Sequence, residues 1–413
     1  MNTAANTTAA AKMSLSAGAP AAARTVLEML HRLKHGSLNL YLPDGSQHRF
    51  GQGDAPAASL RLHDWSVCAA ALKSGDIGFA EGYIDGHWST SDLSALLRLF
   101  IANRREVEDV IYGTWLGRLF YRLRHLLNRN TRGNSQKNIH AHYDLGNAFY
   151  ELWLDGTMNY SSAFFESPEL SMAQAQRAKV ARALRMAGVK AGDRVLEIGC
   201  GWGALAEMAS VDFGASLLGV TLSTEQLAWA QARMARCGVA ERVELRLQDY
   251  RDIGRDSPAD RQFDAICSIE MVEAVGREYW PTYFSTVARL LKPGGRACIQ
   301  SIVIADELFE RYLQSTDFIQ QYVFPGGCLP SPQAFREQAR RAGLQVVDEF
   351  CFGQDYAETL RQWRETFMAR EREVLALGFD QRFMRIWEFY LAYCEAAFAE
   401  RNTDVVQYTL LKP

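Results

Sequence analysis

The chain has 413 residues, 48% of them hydrophobic and 23% charged, with a formal net charge of −3. That length exceeds one ordinary domain and leads us to expect two, and the near-neutral balance carries no electrostatic footprint for nucleic acid. The 8 cysteines form no C-x-x-C pair and no metal-ligand spacing, so no metal is expected, and they suit reduced thiols in the cytoplasm. No apolar run approaches the ~20 residues of a spanning helix. Residues 1–23 are mostly Ala, Thr, Asn, Ser and Gly with a single Lys12. They lack the leucine-rich core of a signal peptide and read as a disordered tail.

From Ala21 to Lys34 the apolar residues Val26, Leu27, Leu30 and Leu33 share a helical face. In SLNLYLPDGSQHRFG, Leu38, Leu40 and Leu42 alternate with polar residues before a Pro43-Asp44-Gly45 turn, which predicts a hairpin. A short strand follows at Ser59–Asp64. Trp65–Ala71 and Ile77–Trp88 complete a small α+β module, and Ser91–Asn103 reads as a helix. The stretch Tyr112–Lys137 contains Arg118, Arg122, Arg124, Arg129, Arg132 and Lys137 but no Asp or Glu, interleaved with Trp115, Leu119, Phe120 and Leu123. A helix of that kind can lie on an anionic bilayer, or simply link domains with its arginines in water. The polar segment Thr131–Asn138 places the boundary between an N-terminal domain, 24–132, and a second domain, 133–413.

The second domain alternates helices and strands. A helical pattern spans Asn147–Trp153, and a helix at Ala173–Ala187 leads into RVLEIGCGWGALA, Arg194–Ala206. There a short apolar strand carrying Glu197 meets Gly199, Gly201 and Gly203 and then a helix start. Glycines are needed where the backbone turns tightly or a ligand lies against it. The spacing is not the Gly-x-Gly-x-x-Gly of a dinucleotide site, and no Lys-Ser/Thr pair follows as in a phosphate loop. It resembles the first motif of the Rossmann-like methyltransferases that bind S-adenosylmethionine (SAM). Further strands are expected at Ser216–Thr221, Val243–Gln248, Phe263–Ile269 and Arg296–Ile302, with a late pair near Leu344–Phe352 and a long helix at Arg382–Arg401. The alternation predicts a doubly wound α/β sheet.

Ligands in such sheets sit at the carboxyl edge. Thr221, Leu222, Ser223 and Gln226 follow the second strand, where hydroxyls and an amide can take a ribose diol. Asp249 and Tyr250 follow the third, where Asp249 either accepts an adenine amino hydrogen or caps the next element. Glu270 and Glu273 follow the fourth, either to stabilise a cation and hold a base or as a solvated pair. All 8 histidines lie between His31 and His142, so chemistry in the second half cannot take a base from a histidine of that half.

HYDLGNAFYELWLD (from His142), NYSSAFF, VLEIGCGWG, GVTLSTEQ, LQDYRD and YVFPGGCLPS occur in this order. Together they resemble the cyclopropane-fatty-acyl-phospholipid synthases and mycolic-acid methyltransferases over about His140–Arg401. FAEGYIDGHW resembles the lipid-engaging N-terminal domain of the longer bacterial members. The resemblance implies a class I SAM methyltransferase fold with a smaller N-terminal α+β domain. It implies methyl transfer to a cis double bond of a phospholipid acyl chain at the membrane's inner face, with a cation that closes to a cyclopropane. Methyl transfer without ring closure, giving a methyl-branched or methylene chain or a furan fatty acid precursor, stays open. So do small-amine N-methylation and non-catalytic lipid binding.

The family's site, carried over, implies a bound bicarbonate as base, held by Glu273, Tyr356, Ser162 (where the family has Cys), Gln300 (where it has His) and the Ile302 backbone. Cys394 matches a cysteine once proposed as nucleophile. The SAM contacts implied are Tyr160, Ser161, Glu197, the Gly199–Gly203 turn with Cys200, Gly201 and Trp202, Thr221 to Gln226, Asp249 and Tyr250. A homodimer through the N-terminal domain suits an enzyme that works on a surface. Ile304–Phe324 reads either as a lid over the acyl channel or as plain helical core.

Overall fold

The computed structural model of the chain describes residues 19–53, 55–106, 145–255 and 262–413. The first eighteen residues of the expected tail, the basic stretch Tyr112–Lys137, the expected boundary and His142 lie outside the described residues.

The N-terminal region opens with α1 (Ala21–Leu30), which already includes the last residues assigned to the tail and ends earlier than Lys34. Strands β1 (Ser37–Tyr41), β2 (Gln47–Gly51), β3 (Ala57–Leu62) and β4 (Trp88–Ser89) form a sheet in the order β2-β1-β3-β4. β1 and β2 are the expected antiparallel hairpin, whereas β1 and β3 run parallel. Leu38 and Leu40 face inward, as their alternation requires. The two pieces expected between β3 and β4 are one helix, α2 (Ser66–Ile84), broken by non-helical backbone at Gly75 (φ 63°, ψ −135°). α3 (Leu93–Ala102) starts at Asp92, whose side chain accepts from Ala95 N–H and caps the first turn.

The second region carries α4 (Asn147–Glu151), α5 (Met172–Met186), β5 (Arg194–Ile198), α6 (Ala204–Val211), β6 (Ser216–Thr221), α7 (Thr224–Arg236), β7 (Val243–Leu247), β8 (Phe263–Ile269), α8 (Trp280–Leu290) and β9 (Leu291–Ile304). After these come α9 (Asp306–Leu313), α10 (Phe318–Tyr322), α11 (Pro332–Arg341), β10 (Gln345–Cys351), α12 (Gly353–Ala369), α13 (Glu371–Ala376), α14 (Gln381–Ala399) and β11 (Thr403–Leu411). The sheet order is β10-β11-β9-β8-β5-β6-β7. Five strands are parallel, and β11 pairs antiparallel with both β9 and β10. The late pair expected near Leu344–Phe352 is therefore corrected. Only β10 lies there, and its partner comes from the chain's end. VVQYTLL is buried through most of its length because it sits between two strands with helices over it, so it lacks the alternation that marks a half-exposed strand.

Alternate residues of the central strands feed two cores. Leu196, Ile198, Leu218 and Val220 pack under α8 and α11, and Val195 and Leu217 pack under α5, α6 and α7. The strand order reverses between β5 and β8, which opens a crevice at their carboxyl ends.

The N-terminal region shares a third core with α12 and α14. Phe318 of α10 is fully buried and lies 4.8 Å from the Phe389 ring. Tyr322 Oη donates to Glu81 (2.6 Å) and Tyr393 Oη to Asp76 (2.9 Å). The expected lid segment is thus docked on α2. At the centre of the contact, Glu395 accepts from Ser94 Oγ (2.6 Å) and Arg364 Nε (2.8 Å). Removing one member of a buried ion pair strands the other charge. Arg364→Met should lower the unfolding free energy by about 3 kcal/mol, read from urea titration of tryptophan fluorescence. An unchanged midpoint would show that Glu395 needs no counter-charge.

Candidate active site

The crevice holds an open cavity of about 1190 Å³. Its wall is the turn after β5. Gly199 (φ 84°) and Gly201 (φ 49°) take left-handed backbone, and a Cβ on Gly201 would meet no protein atom, so it would stand in ligand space. Glu197, Cys200 and Trp202 continue this wall, Thr221, Leu222 and Gln226 come from β6 and its loop, Asp249 and Tyr250 follow β7, and Tyr160 and Ser161 close the side.

Two residues expected here do other work. Gly203 N-caps α6, and the Ser223 hydroxyl N-caps α7 by accepting from Gln226 N–H. Neither lines the cavity. Asp249 lines it while caught by Arg251, whose Nε and Nη2 donate to the two carboxylate oxygens (2.8 and 2.5 Å). The capping alternative is present too, since Arg251 N–H donates to Asp249.

Buried acceptors fit SAM. Among the described residues, Glu197 Oε2 and Gln248 Oε1 are buried without a hydrogen-bond partner, and both residues line the cavity. Such orphans are costly unless a ligand satisfies them. Burial drives the Glu197 carboxyl well above its ordinary range, against the charges of Lys179 and Arg233. A ligand ammonium would restore the carboxylate. Gln248 was not anticipated as a contact.

The cavity floor is Glu270, at the end of β8. Three donors converge on its carboxylate: Ser162 N–H to Oε1 (2.9 Å), Gln300 Nε2 to Oε1 (2.8 Å) and Tyr356 Oη to Oε2 (2.7 Å). These are three of the residues expected to hold a free anion. Ser162 takes part through its backbone, because its hydroxyl donates to Ala163 O. Ile302 N–H donates instead to Glu273 Oε1. Glu270 has φ 49°, a backbone state that costs a non-glycine residue on the order of 1 kcal/mol.

The donors are themselves oriented. Arg182, which can only donate, bonds Gln407 Oε1 (2.8 Å). Gln407 therefore presents Nε2 to Gln300 Oε1 (3.0 Å), and Gln300 must turn its own Nε2 to Glu270. Lys179 of α5 is fully buried and donates to Ser161 Oγ (2.6 Å).

Burial raises the Glu270 carboxyl, but Lys179 and the three donors oppose it. Glu273 is pushed up to about 8 by burial and then by the Glu270 charge. Of the two, Glu270 keeps the charge and Glu273 the proton. Lys179 is pulled down to about 8 by burial, against the pull of Glu270, Asp155 and Glu197. Burial pushes the Cys394 thiol far up, and the Asp317 charge adds to it. It is no thiolate near neutral pH, which argues against a nucleophile there.

Lys179, Gln407 and Arg182 were missed. Their signal was present: Lys179 lies on the inward stripe of α5 with Ala175, Val180 and Ala183, and Gln407 interrupts an apolar strand.

The sheet order and this cavity define a SAM-dependent methyltransferase. The family model described as mycolic acid cyclopropane synthetase matches residues 130–408. Tuberculostearic acid methyltransferase UfaA1 of Mycobacterium tuberculosis is 40% identical over 389 residues, covering 92% of this chain and 88% of that protein. Cyclopropane-fatty-acyl-phospholipid synthase of Escherichia coli is 33% identical over 355 residues, covering 86% and 88%. The crystal structure of mycolic acid cyclopropane synthase CmaA1 complexed with SAH and CTAB matches at TM-score 0.62 and 31% identity, covering 67% of this chain and 97% of that one. The chain belongs to the mycolic acid cyclopropane synthetase family.

Two outcomes follow. Gly201→Ala should raise the SAM dissociation constant by about tenfold or more, roughly 1.4 kcal/mol, by calorimetry; unchanged affinity would move the cofactor off this turn. The second concerns pH. Glu273 binds its proton more tightly folded (about 8) than unfolded (ordinary value 4.5). Its contribution is therefore full below the unfolded value and is lost as pH rises toward the folded one. Glu273→Gln should flatten the melting temperature against pH between these limits. A parallel curve for both proteins would show that Glu273 is not protonated.

Proposed function

We propose that this enzyme transfers the SAM methyl to the double bond of an unsaturated acyl chain in membrane phospholipid. The observation that carries the reading is a half-buried carboxylate, Glu270, held by three hydrogen bonds at the floor of the cofactor cavity. SAM, held by the Gly199–Gly201 turn, Glu197 and Gln248, supplies an electrophilic methyl. An alkene is a weak nucleophile, so alignment is the protein's main contribution. Attack leaves a positive charge on the neighbouring acyl carbon. Aromatic faces and the carboxylate can stabilise it. Tyr160 lines the cavity, and its ring packs 5.4 Å from Trp153 and 5.6 Å from Trp363.

A second cavity suits the lipid. It encloses about 1880 Å³, partly open, between the N-terminal sheet and the catalytic region. Aliphatic residues such as Leu27, Leu40, Leu60 and Leu97 line it together with Leu308 and Phe389. The acid-free basic stretch Tyr112–Lys137 is the part of the sequence suited to an anionic bilayer. Among the described residues, no helix is long and apolar enough to cross a membrane.

The same cation leads to two products. Loss of a proton from the new methyl closes a cyclopropane. Loss from the next chain carbon leaves an alkene. The ring is the first expectation from the family. The second reading is favoured by the 40% identical relative, which is named a methyltransferase and covers 92% of the chain. Purified protein incubated with SAM and monounsaturated phospholipid vesicles should add one CH2 to the acyl chain, read by mass spectrometry. Loss of the double bond would give the ring, and retention a methyl-branched alkene, or a methylene group if a hydride shift first brings the cation to the methyl-bearing carbon. No added carbon on any unsaturated acyl chain would refute the acceptor assignment.

A further inference from the structure

We propose that Glu270 is the general base of the methyl transfer, a tethered carboxylate standing where a free bicarbonate was expected. The inference rests on the acyl-methylation reading above. Its first support is occupancy. A carboxylate offers about four lone-pair sites. Ser162 N–H, Gln300 Nε2 and Tyr356 Oη fill three. Among the described residues one site is left over, on a group that lines the cofactor cavity. The donors that a free anion would need are already committed to this side chain.

The second support is direction. The chain from Arg182 through Gln407 to Gln300 allows only one orientation of each amide, and that orientation aims a donor at Glu270. Such a relay is built to receive a carboxylate. The third is backbone. Glu270 holds φ 49°, where glycine would rest without strain. A glutamate stays there because its head is tied down at three points.

The step balances. The alkene π pair forms the new C–C bond as the C–S bond breaks, which leaves a neutral thioether and a cation on the adjacent acyl carbon. Glu270 takes a proton from the transferred methyl and the C–H pair closes the ring, or takes it from the next carbon and the pair forms a C=C. The positive charge thus leaves as the proton on Glu270, which passes to water before the next turnover. No oxidant or reductant enters. A proton on the carbon next to a carbocation, or on the methyl whose C–H pair bridges to it as the ring closes, is strongly acidic, so a well-placed carboxylate suffices even though three donors weaken its basicity.

The test compares wild type, Glu270→Gln and Glu270→Gly, with and without bicarbonate in carbon-dioxide-depleted buffer. Wild-type turnover should be indifferent to bicarbonate. Glu270→Gln should lose about 10²-fold or more in turnover while SAM binding, measured by calorimetry, persists. Glu270→Gly keeps a backbone that glycine favours and vacates the anion site, and added bicarbonate should restore its activity by about tenfold or more. Titration with [13C]bicarbonate followed by NMR gives a readout without any lipid: the glycine variant should bind it and wild type should not. Wild type that binds or requires bicarbonate would overturn the proposal, as would a Glu270→Gln enzyme that turns over normally. If wild type methylates no acyl chain, the acceptor reading falls by itself, and the bicarbonate titration still decides whether Glu270 excludes the free anion.

Discussion

The constraint on which this site depends is the cost of burying charge. Glu273, Glu197 and Lys179 are buried, and Glu270 half-buried, around one cavity. In such a place a charge survives only where donors or a counter-charge replace water. Glu270 has three donors and Lys179 nearby, so it can remain ionised beside a cofactor that is itself cationic. Glu273 has the Ile302 amide but the Glu270 charge against it, and gives way by holding a proton. The division of labour between two glutamates three residues apart is thus set by what surrounds each. Their spacing alone does not distinguish them.

Everything that fixes those surroundings is scaffold. Ser162 comes from the loop before α5, Gln300 from β9, Tyr356 from α12 and Gln407 from β11. β11 lies hydrogen-bonded along β9 in a register that sets Gln407 opposite Gln300. The antiparallel strand at the end of the chain is therefore part of the active site's support, although it contributes nothing to the cavity lining. A shift of one residue would turn Gln407 to the other face of the sheet and leave Gln300 free to rotate.

Much of this was legible in the sequence. The glycine turn, the parallel strands and most of the cavity wall follow from local patterns: period-two apolar residues, a turn that needs left-handed backbone, and polar residues just past strand ends. The positions that failed have non-local causes. β11 hid because a strand buried on both faces has no alternation. Glu270 could be seen as a carboxylate at the sheet edge, but not as the acceptor of three donors drawn from three distant segments. Lys179 belonged to an amphipathic helix whose inward stripe includes a charge, and only the assembled fold shows what that charge opposes. Ser162 and Gln300 drew notice as departures from a familiar pattern. Their partner shows why they work together: an amide hydrogen from each satisfies a carboxylate that needs no imidazole.

The helix α14 has one further consequence. It lies against α3 and α2 of the N-terminal region and against α12 of the catalytic region, and its Tyr390 hydroxyl meets that of Tyr160 at 2.7 Å in the cofactor wall. A helix is stiff along its length, so these contacts work like marks on a single ruler. The first hundred residues are thereby tied to the cavity wall through one rod and one pair of hydroxyls, besides their contacts with α10.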